Sequence, residues 1–87
     1  MSFESEHPCV VCGISGEGLV TGHHLYSRKA FPEFARFHWN MIPVCQLHHN
    51  MFHSAGNITM AQNYKSVSDW LELNRWEIFN GKLIHKD

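Results

Sequence analysis

The chain has 87 residues, which suits one domain at roughly 100–200 residues per domain. Seven Lys+Arg against eight Asp+Glu give a net charge of −1, with 17% of residues charged and 44% hydrophobic. That balance excludes a disordered tail and a protein that grips nucleic acid through bulk charge alone. No stretch reaches the roughly 20 apolar residues of a membrane span, and the acidic Met1–Glu6 segment lacks the apolar run of a signal peptide. A cytoplasmic protein with no membrane partner is therefore expected.

In chain order, residues 7–18 carry Cys9-x-x-Cys12 and three glycines, the pattern of a tight metal-binding loop. Leu19–His23 is short, partly β-branched and interrupted by Gly22, a strand candidate. Residues 25–39 mix aromatic and basic side chains around Pro32 without a sustained period and read as a loop with one helical turn. Met41–Val44 is a second short strand, which Pro43 confines to an edge or a ladder-free position. Gln46–Ser54 suits a helix stopped by Gly56-Asn57. A further helix is expected from about Ser66, where Ser66-x-x-Asp69 resembles a capping box and Val67, Trp70 and Leu71 share a face. Trp76–Phe79 and Lys82–His85 flank Asn80-Gly81, the signature of a type I′ hairpin. A continued helix through Phe79 is the competing reading.

Cysteine and histidine carry the chemical signal. Three cysteines cannot all pair within one chain, and six of the eight histidines fall within residues 23–53. A domain this small often needs a metal or disulfides to be stable, and this composition points to a transition metal in a reducing compartment. Cys9-x-x-Cys12 and Cys45-x-x-His48 are two half-sites with the ligand types and spacing of a tetrahedral structural zinc. Such a site contributes on the order of 10 kcal/mol in zinc peptides.

A second group is His23-His24 with His49-x-x-x-His53. Residues four apart on a helix point the same way, so His49 and His53 can face one metal. Neighbours on a strand point to opposite faces, so one of His23 and His24 can join that metal while the other looks elsewhere. Three protein ligands with open positions define a catalytic rather than a structural centre.

The run Cys-x-x-Cys, His-His, Asn40-x-x-x-x-Cys45-x-x-His48-His49-x-x-x-His53 resembles the HNH endonucleases of the ββα-metal (His-Me finger) fold, in particular small phage and bacterial members with a structural zinc. The resemblance covers residues 9–53; beyond residue 60 it is loose. It implies an α+β nuclease domain with a zinc-tethered β-hairpin, followed here by a C-terminal helix and hairpin. It also implies His24 as general base, and His23, His49 and His53 as ligands of the catalytic metal. Asn40 matches the central Asn, which in different members braces the connecting loop or lies near the metal. Cys9, Cys12, Cys45 and His48 would hold the zinc. His48 stands where the family more often has a fourth Cys, so His48 and His49 both remain open as the fourth ligand. Spacing favours His48, with His49 then in step with His53.

The implied activity is metal-dependent hydrolysis of DNA phosphodiester bonds, leaving 5′-phosphate and 3′-hydroxyl ends. Neutral imidazole at His24 would take a proton from the attacking water, so the rate is expected to fall as the pH drops through the histidine range. Three imidazoles favour Mn²⁺, Ni²⁺ or Zn²⁺ over Mg²⁺, which prefers oxygen donors. Arg28 and Lys29 are the leading phosphate contacts, with Arg36 and Lys65 weaker; Lys29, Arg36 and Lys65 fit solvated charges nearly as well. Phe31, Phe34, Phe37 and Trp39 read as loop packing rather than base stacking. No groove-reading helix is visible, so the expected partner is double-stranded DNA bound with low sequence specificity, with a phage packaging or recombination protein as a further candidate partner. The contrasting reading is a non-catalytic zinc module that binds nucleic acid or protein. It accounts for the cysteines and His48 but leaves His23, His24, His49 and His53 without a role.

Overall fold

The computed structural model describes residues 7–16 and 18–86; the acidic Met1–Glu6 stretch lies outside them. Two antiparallel hairpins sandwich three short helices in the order β1 (Val20–His24), β2 (Met41–Cys45), α1 (Gln46–Ala55), α2 (Asn57–Asn63), α3 (Lys65–Leu73), β3 (Trp76–Phe79) and β4 (Lys82–His85). The fold is α+β, with two separate two-stranded sheets among the described residues. None of these helices is long and apolar enough to cross a membrane.

β1 pairs with β2 so that Val20 faces Cys45 and His24 faces Met41. Strand one starts one residue later than its composition suggests, because Leu19 remains half exposed in the preceding turn. Pro43 has no N–H to give a ladder, and a two-stranded sheet has only edges, so its position costs no pairing. Its carbonyl instead accepts the Val10 N–H at 2.9 Å, which pins the Cys9–Cys12 loop to the outer edge of β2.

The core lies where β2 meets the helices. Ile42 and Val44 from β2, Phe52 from α1, Met60 from α2, Val67 and Leu71 from α3 and Trp76 from β3 form one buried cluster. α1 ends at Gly56, whose φ of 92° is a conformation that only glycine adopts readily. The chain does not become a loop there: α2 begins at Asn57. Seven residues with only Met60 and Ala61 buried are too few to display a helical period, so this element is not legible from sequence. The Ser66–Asp69 capping box does not form. α3 starts at Lys65 with Tyr64 at the N-cap and no side-chain cap, and Asp69 instead pairs with Lys65 at 2.9 Å.

The C-terminal hairpin forms as the Asn80-Gly81 pair requires, with φ of 52° and 73° at its two corner residues. It docks on the long β1–β2 connection. Trp76 Nε1 donates to the Trp39 carbonyl at 2.6 Å, and the His85 N–H donates to the Tyr26 hydroxyl at 3.1 Å. That connection contains short 3₁₀ turns at Pro32–Phe34 and His38–Asn40. It is braced from within by Asn40, which is fully buried. The Asn40 amide accepts the Tyr26 N–H at 2.7 Å and donates to the Tyr26 and Phe34 carbonyls at 3.0 and 3.1 Å. Of the two roles open to this residue, loop bracing is the one its hydrogen bonds perform.

Truncating Asn40 strands three backbone groups in the interior, each costing about 1–3 kcal/mol when unsatisfied. Asn40→Ala is therefore expected to lower the urea-unfolding free energy by about 2–4 kcal/mol after partial relaxation. Asn50→Ala, at an exposed position, should stay within about 0.5 kcal/mol of the parent chain.

Candidate active site and metal centre

α1 organises two side-chain clusters, one at its N-terminus and one along its side. Cys9, Cys12, Cys45 and His48 bring their ligand atoms within 4.8 Å of one another. The cysteines are free thiols. Cys12 and Cys45 Sγ are 3.8 Å apart, far beyond a disulfide. A tetrahedron with Zn–S bonds near 2.3 Å has a sulfur–sulfur edge of about 3.8 Å, so the gap is the one such an ion requires. His48 Nδ1 lies 3.7 Å from Cys9 Sγ and 3.1 Å from Cys45 Sγ. The four residues can hold a metal such as zinc, and His48, not His49, is the histidine that stands with the cysteines.

The backbone prepares this cluster for negative charge. Burial works against a thiolate at Cys9, but N–H groups of Cys12, Cys45 and Val11 aim at its sulfur and bring its pKa down to about 6. Cys12 goes the other way. The Ile14 N–H favours its thiolate, yet partial desolvation and the nearby Cys9 and Cys45 sulfurs outweigh it and push the thiol up. One thiolate is thus favoured and the next is opposed by its neighbours, a conflict that a divalent cation removes.

The second cluster is His23, His49 and His53, again with ligand atoms within 4.8 Å of one another. His48 and His49 are adjacent, and a helix turns about 100° per residue, so one ring serves each cluster. His49 and His53, one turn apart, bring their Nε2 atoms to 3.1 Å. Bonds near 2.1 Å give an edge of about 3.0 Å between adjacent octahedral positions and about 3.4 Å between tetrahedral ones, so the pair suits either geometry. His23 comes across from β1 and is buried on the Phe52 ring, centroids 4.9 Å apart.

Burial favours the neutral ring at His23 and at His49. Burial drives the His23 pKa down to about 4, the Asn57 hydrogen bond opposing and the neighbouring histidines reinforcing the shift. Burial, then His53 and His24, also lower His49. His23 Nε2–H donates to Asn57 Oδ1 at 2.9 Å, which leaves the Nδ1 lone pair as its ligand atom. Sequence reasoning took Asn57 only as a helix stop. Thirty-four residues separate it from His23, and no local pattern marks the pairing.

His24 is not one of the three clustered rings. Its Nε2 meets the Ala35 carbonyl at 2.9 Å. A carbonyl can only accept, so Nε2 carries the proton and Nδ1 keeps an open lone pair in the neutral ring. Nothing in the residue type at position 35 announces this contact, because a backbone atom makes it. Arg28 and Lys29 follow on the exposed turn after β1, and Arg36 is exposed further along the same connection. Lys65 is set apart from them by its ion pair with Asp69.

A metal held by the cysteine cluster would tie the Cys9–Cys12 loop to α1, so removing it should unfold the domain. Dialysis against a strong chelator is expected to abolish the cooperative thermal transition, with zinc restoring it. Protons compete with metal for thiolate, and Cys9 keeps its thiolate down to about pH 6. Zinc should therefore stay bound at neutral pH and be released as the pH falls through and below that value, read with a colorimetric zinc indicator.

No family model, no curated protein and no solved structure matches this chain, so its function has to be argued from these two clusters and the histidine beside them.

Proposed function

We propose that the chain is a metal-dependent endonuclease that hydrolyses DNA phosphodiester bonds, with β1, β2 and α1 forming a ββα-metal unit of the HNH type. The observation that carries this reading is the pairing of a tautomer-fixed histidine with a three-histidine metal cluster on adjacent residues of one strand. His24 has its proton held on Nε2 by the Ala35 carbonyl, and His23 turns inward to His49 and His53. A zinc module would need neither feature.

In this mechanism His24 Nδ1 accepts the proton of a water lined up with the phosphorus. The ring then becomes an imidazolium, and its Nε2–H bond to the Ala35 carbonyl strengthens as that charge develops. His23, His49 and His53 would hold the divalent ion, and Asn57 keeps the His23 ring in the orientation that offers Nδ1. When bound, that ion supplies Lewis-acid stabilisation of the phosphoryl oxygens and of the departing 3′ oxygen. The exposed Arg28 and Lys29 would engage the flanking phosphates, Arg28 through its planar two-pronged guanidinium. The products are 5′-phosphate and 3′-hydroxyl ends. The cysteine cluster takes no part in the chemistry and holds the helix that carries two of the three ligands.

Nicking of supercoiled plasmid tests the reading, with zinc-loaded protein given Mg²⁺, Mn²⁺ or Ni²⁺ in turn. Imidazole ligands predict that Mn²⁺ or Ni²⁺ outperforms Mg²⁺. His24→Ala should retain the second metal and lose roughly 10²–10⁴-fold in rate, the usual contribution of a general base. His49→Ala should lose metal and rate together, as judged by isothermal titration calorimetry beside the nicking assay. Zinc-loaded protein that fails to nick with any of these metals and binds no second ion would make the chain a non-catalytic zinc module.

A further inference from the structure

The β1–β2 connection carries an aromatic chamber that neither metal cluster uses. Tyr26, Phe31, Phe34 and Trp39, closed by His85 from β4, line a cavity of about 190 Å³. Its walls are ring faces: Phe31 and Phe34 stack at 5.9 Å with planes 19° apart, and Trp39 lies against His85 at 3.9 Å and 19°. Phe31, one of its walls, is 39% exposed. No carboxylate lines it.

Charge decides what chemistry fits such a box. Aromatic cages also take quaternary ammonium ions. Here, however, the connection bears Arg28, Lys29 and Arg36 against Glu33 alone, all of them exposed. Ring walls on a connection of net positive charge disfavour a cation and suit a planar ring that brings negative charge with it, which is a nucleobase with its phosphates. The space accepts one base and not a base pair.

We propose that this chamber holds a single unpaired nucleobase of the substrate strand, stacked on Phe31 and Trp39, while its phosphates run along Arg28 and Lys29. The inference rests on the nuclease reading and narrows its substrate from continuous duplex to DNA with an unpaired base beside the cut: a fork, a flap or a single strand. The scaffold links the two sites. Tyr26 lies two residues after His24, and Phe34 precedes Ala35, whose carbonyl holds the His24 ring. Asn40 ties the backbones of Tyr26 and Phe34 together. A base seated here is therefore held by the same loop that orients His24. An already unpaired base avoids the unstacking cost that a paired one incurs.

The test uses zinc-loaded protein without the second metal, so that DNA is bound and not cut. Titration with deoxyadenosine monophosphate, followed by NMR of the aromatic protons and the Trp39 indole N–H, should give saturable shifts in Phe31, Tyr26 and Trp39. Phe31→Leu, checked for retained zinc and melting temperature, should weaken binding about tenfold, the order expected for loss of one base–aromatic stack. Tetramethylammonium shifting these resonances while the nucleotide does not would overturn the proposal. In a second arm, a forked duplex with a thymine overhang should bind about tenfold more tightly than the same fork with an abasic overhang. Equal binding would reject the chamber as a base site, and this arm decides alone should Phe31→Leu fail to fold. Plasmid nicking judges the nuclease separately. Nicking without nucleotide binding or fork preference discards the chamber and keeps the nuclease. Nucleotide binding by a chain that never nicks keeps the chamber's ligand and discards the nuclease with the substrate narrowing built on it.

Discussion

The turn of about 100° between consecutive residues of a helix is the constraint on which this small domain depends. At His48 and His49 it sends one imidazole to the cysteines and the next to His23. The first cluster fastens the start of α1 to the Cys9–Cys12 loop and thereby to the edge of β2. The second spans from α1 to β1. The helix is consequently held at its N-terminus and along its side before its apolar residues are counted. A register error of one residue would exchange the two imidazoles and spoil both clusters. Cys45 has a dual position, closing β2 and serving as the N-cap residue of α1. Its side chain makes no capping bond, so its sulfur is left to the cluster.

Tautomer control is the second layer. An imidazole is a useful ligand or base only when its proton sits on the other nitrogen. The fold fixes this for both strand histidines with oxygen acceptors drawn from distant segments: Asn57 for His23 and the Ala35 carbonyl for His24. Adjacent strand residues are thereby held by separate partners, each through Nε2. Burial makes the same choice for His23 electrostatically, since a ring that loses water without gaining a carboxylate stays neutral.

What was legible in the sequence was local. Cys-x-x-Cys, Cys-x-x-His and the four-residue step from His49 to His53 are short spacings that backbone geometry converts directly into shared faces. Asn80-Gly81 is a turn whose φ values few other pairs tolerate. The unread parts depend on distance along the chain or on backbone atoms. Asn57 meets His23 across thirty-four residues, and Trp76 meets the Trp39 carbonyl across thirty-seven. Ala35 contributes only a carbonyl, which every residue has. The supposed capping box at Ser66 failed for a related reason. The helix begins one residue earlier, so Ser66 falls inside it and not at the cap, and Asp69 pairs with the Lys65 ammonium one turn back.

The C-terminal hairpin gives the long β1–β2 connection a rigidity that its own sequence does not supply. Sixteen residues separate β1 from β2, and loops of this length without regular structure are uncommon in compact domains unless function requires them. This one is held on two sides. Asn40 satisfies its interior backbone, while Trp76 and His85 press on it from the hairpin through hydrogen bonds and ring contacts. Ala35, which fixes the His24 proton, belongs to this loop and moves with it. An unbroken series of contacts joins residues 76–85 to His24: hairpin to Trp39 and Tyr26, Asn40 to Phe34, Ala35 to His24. The C-terminal elements lie outside the Cys/His run, yet they brace the loop whose Ala35 carbonyl holds the His24 ring.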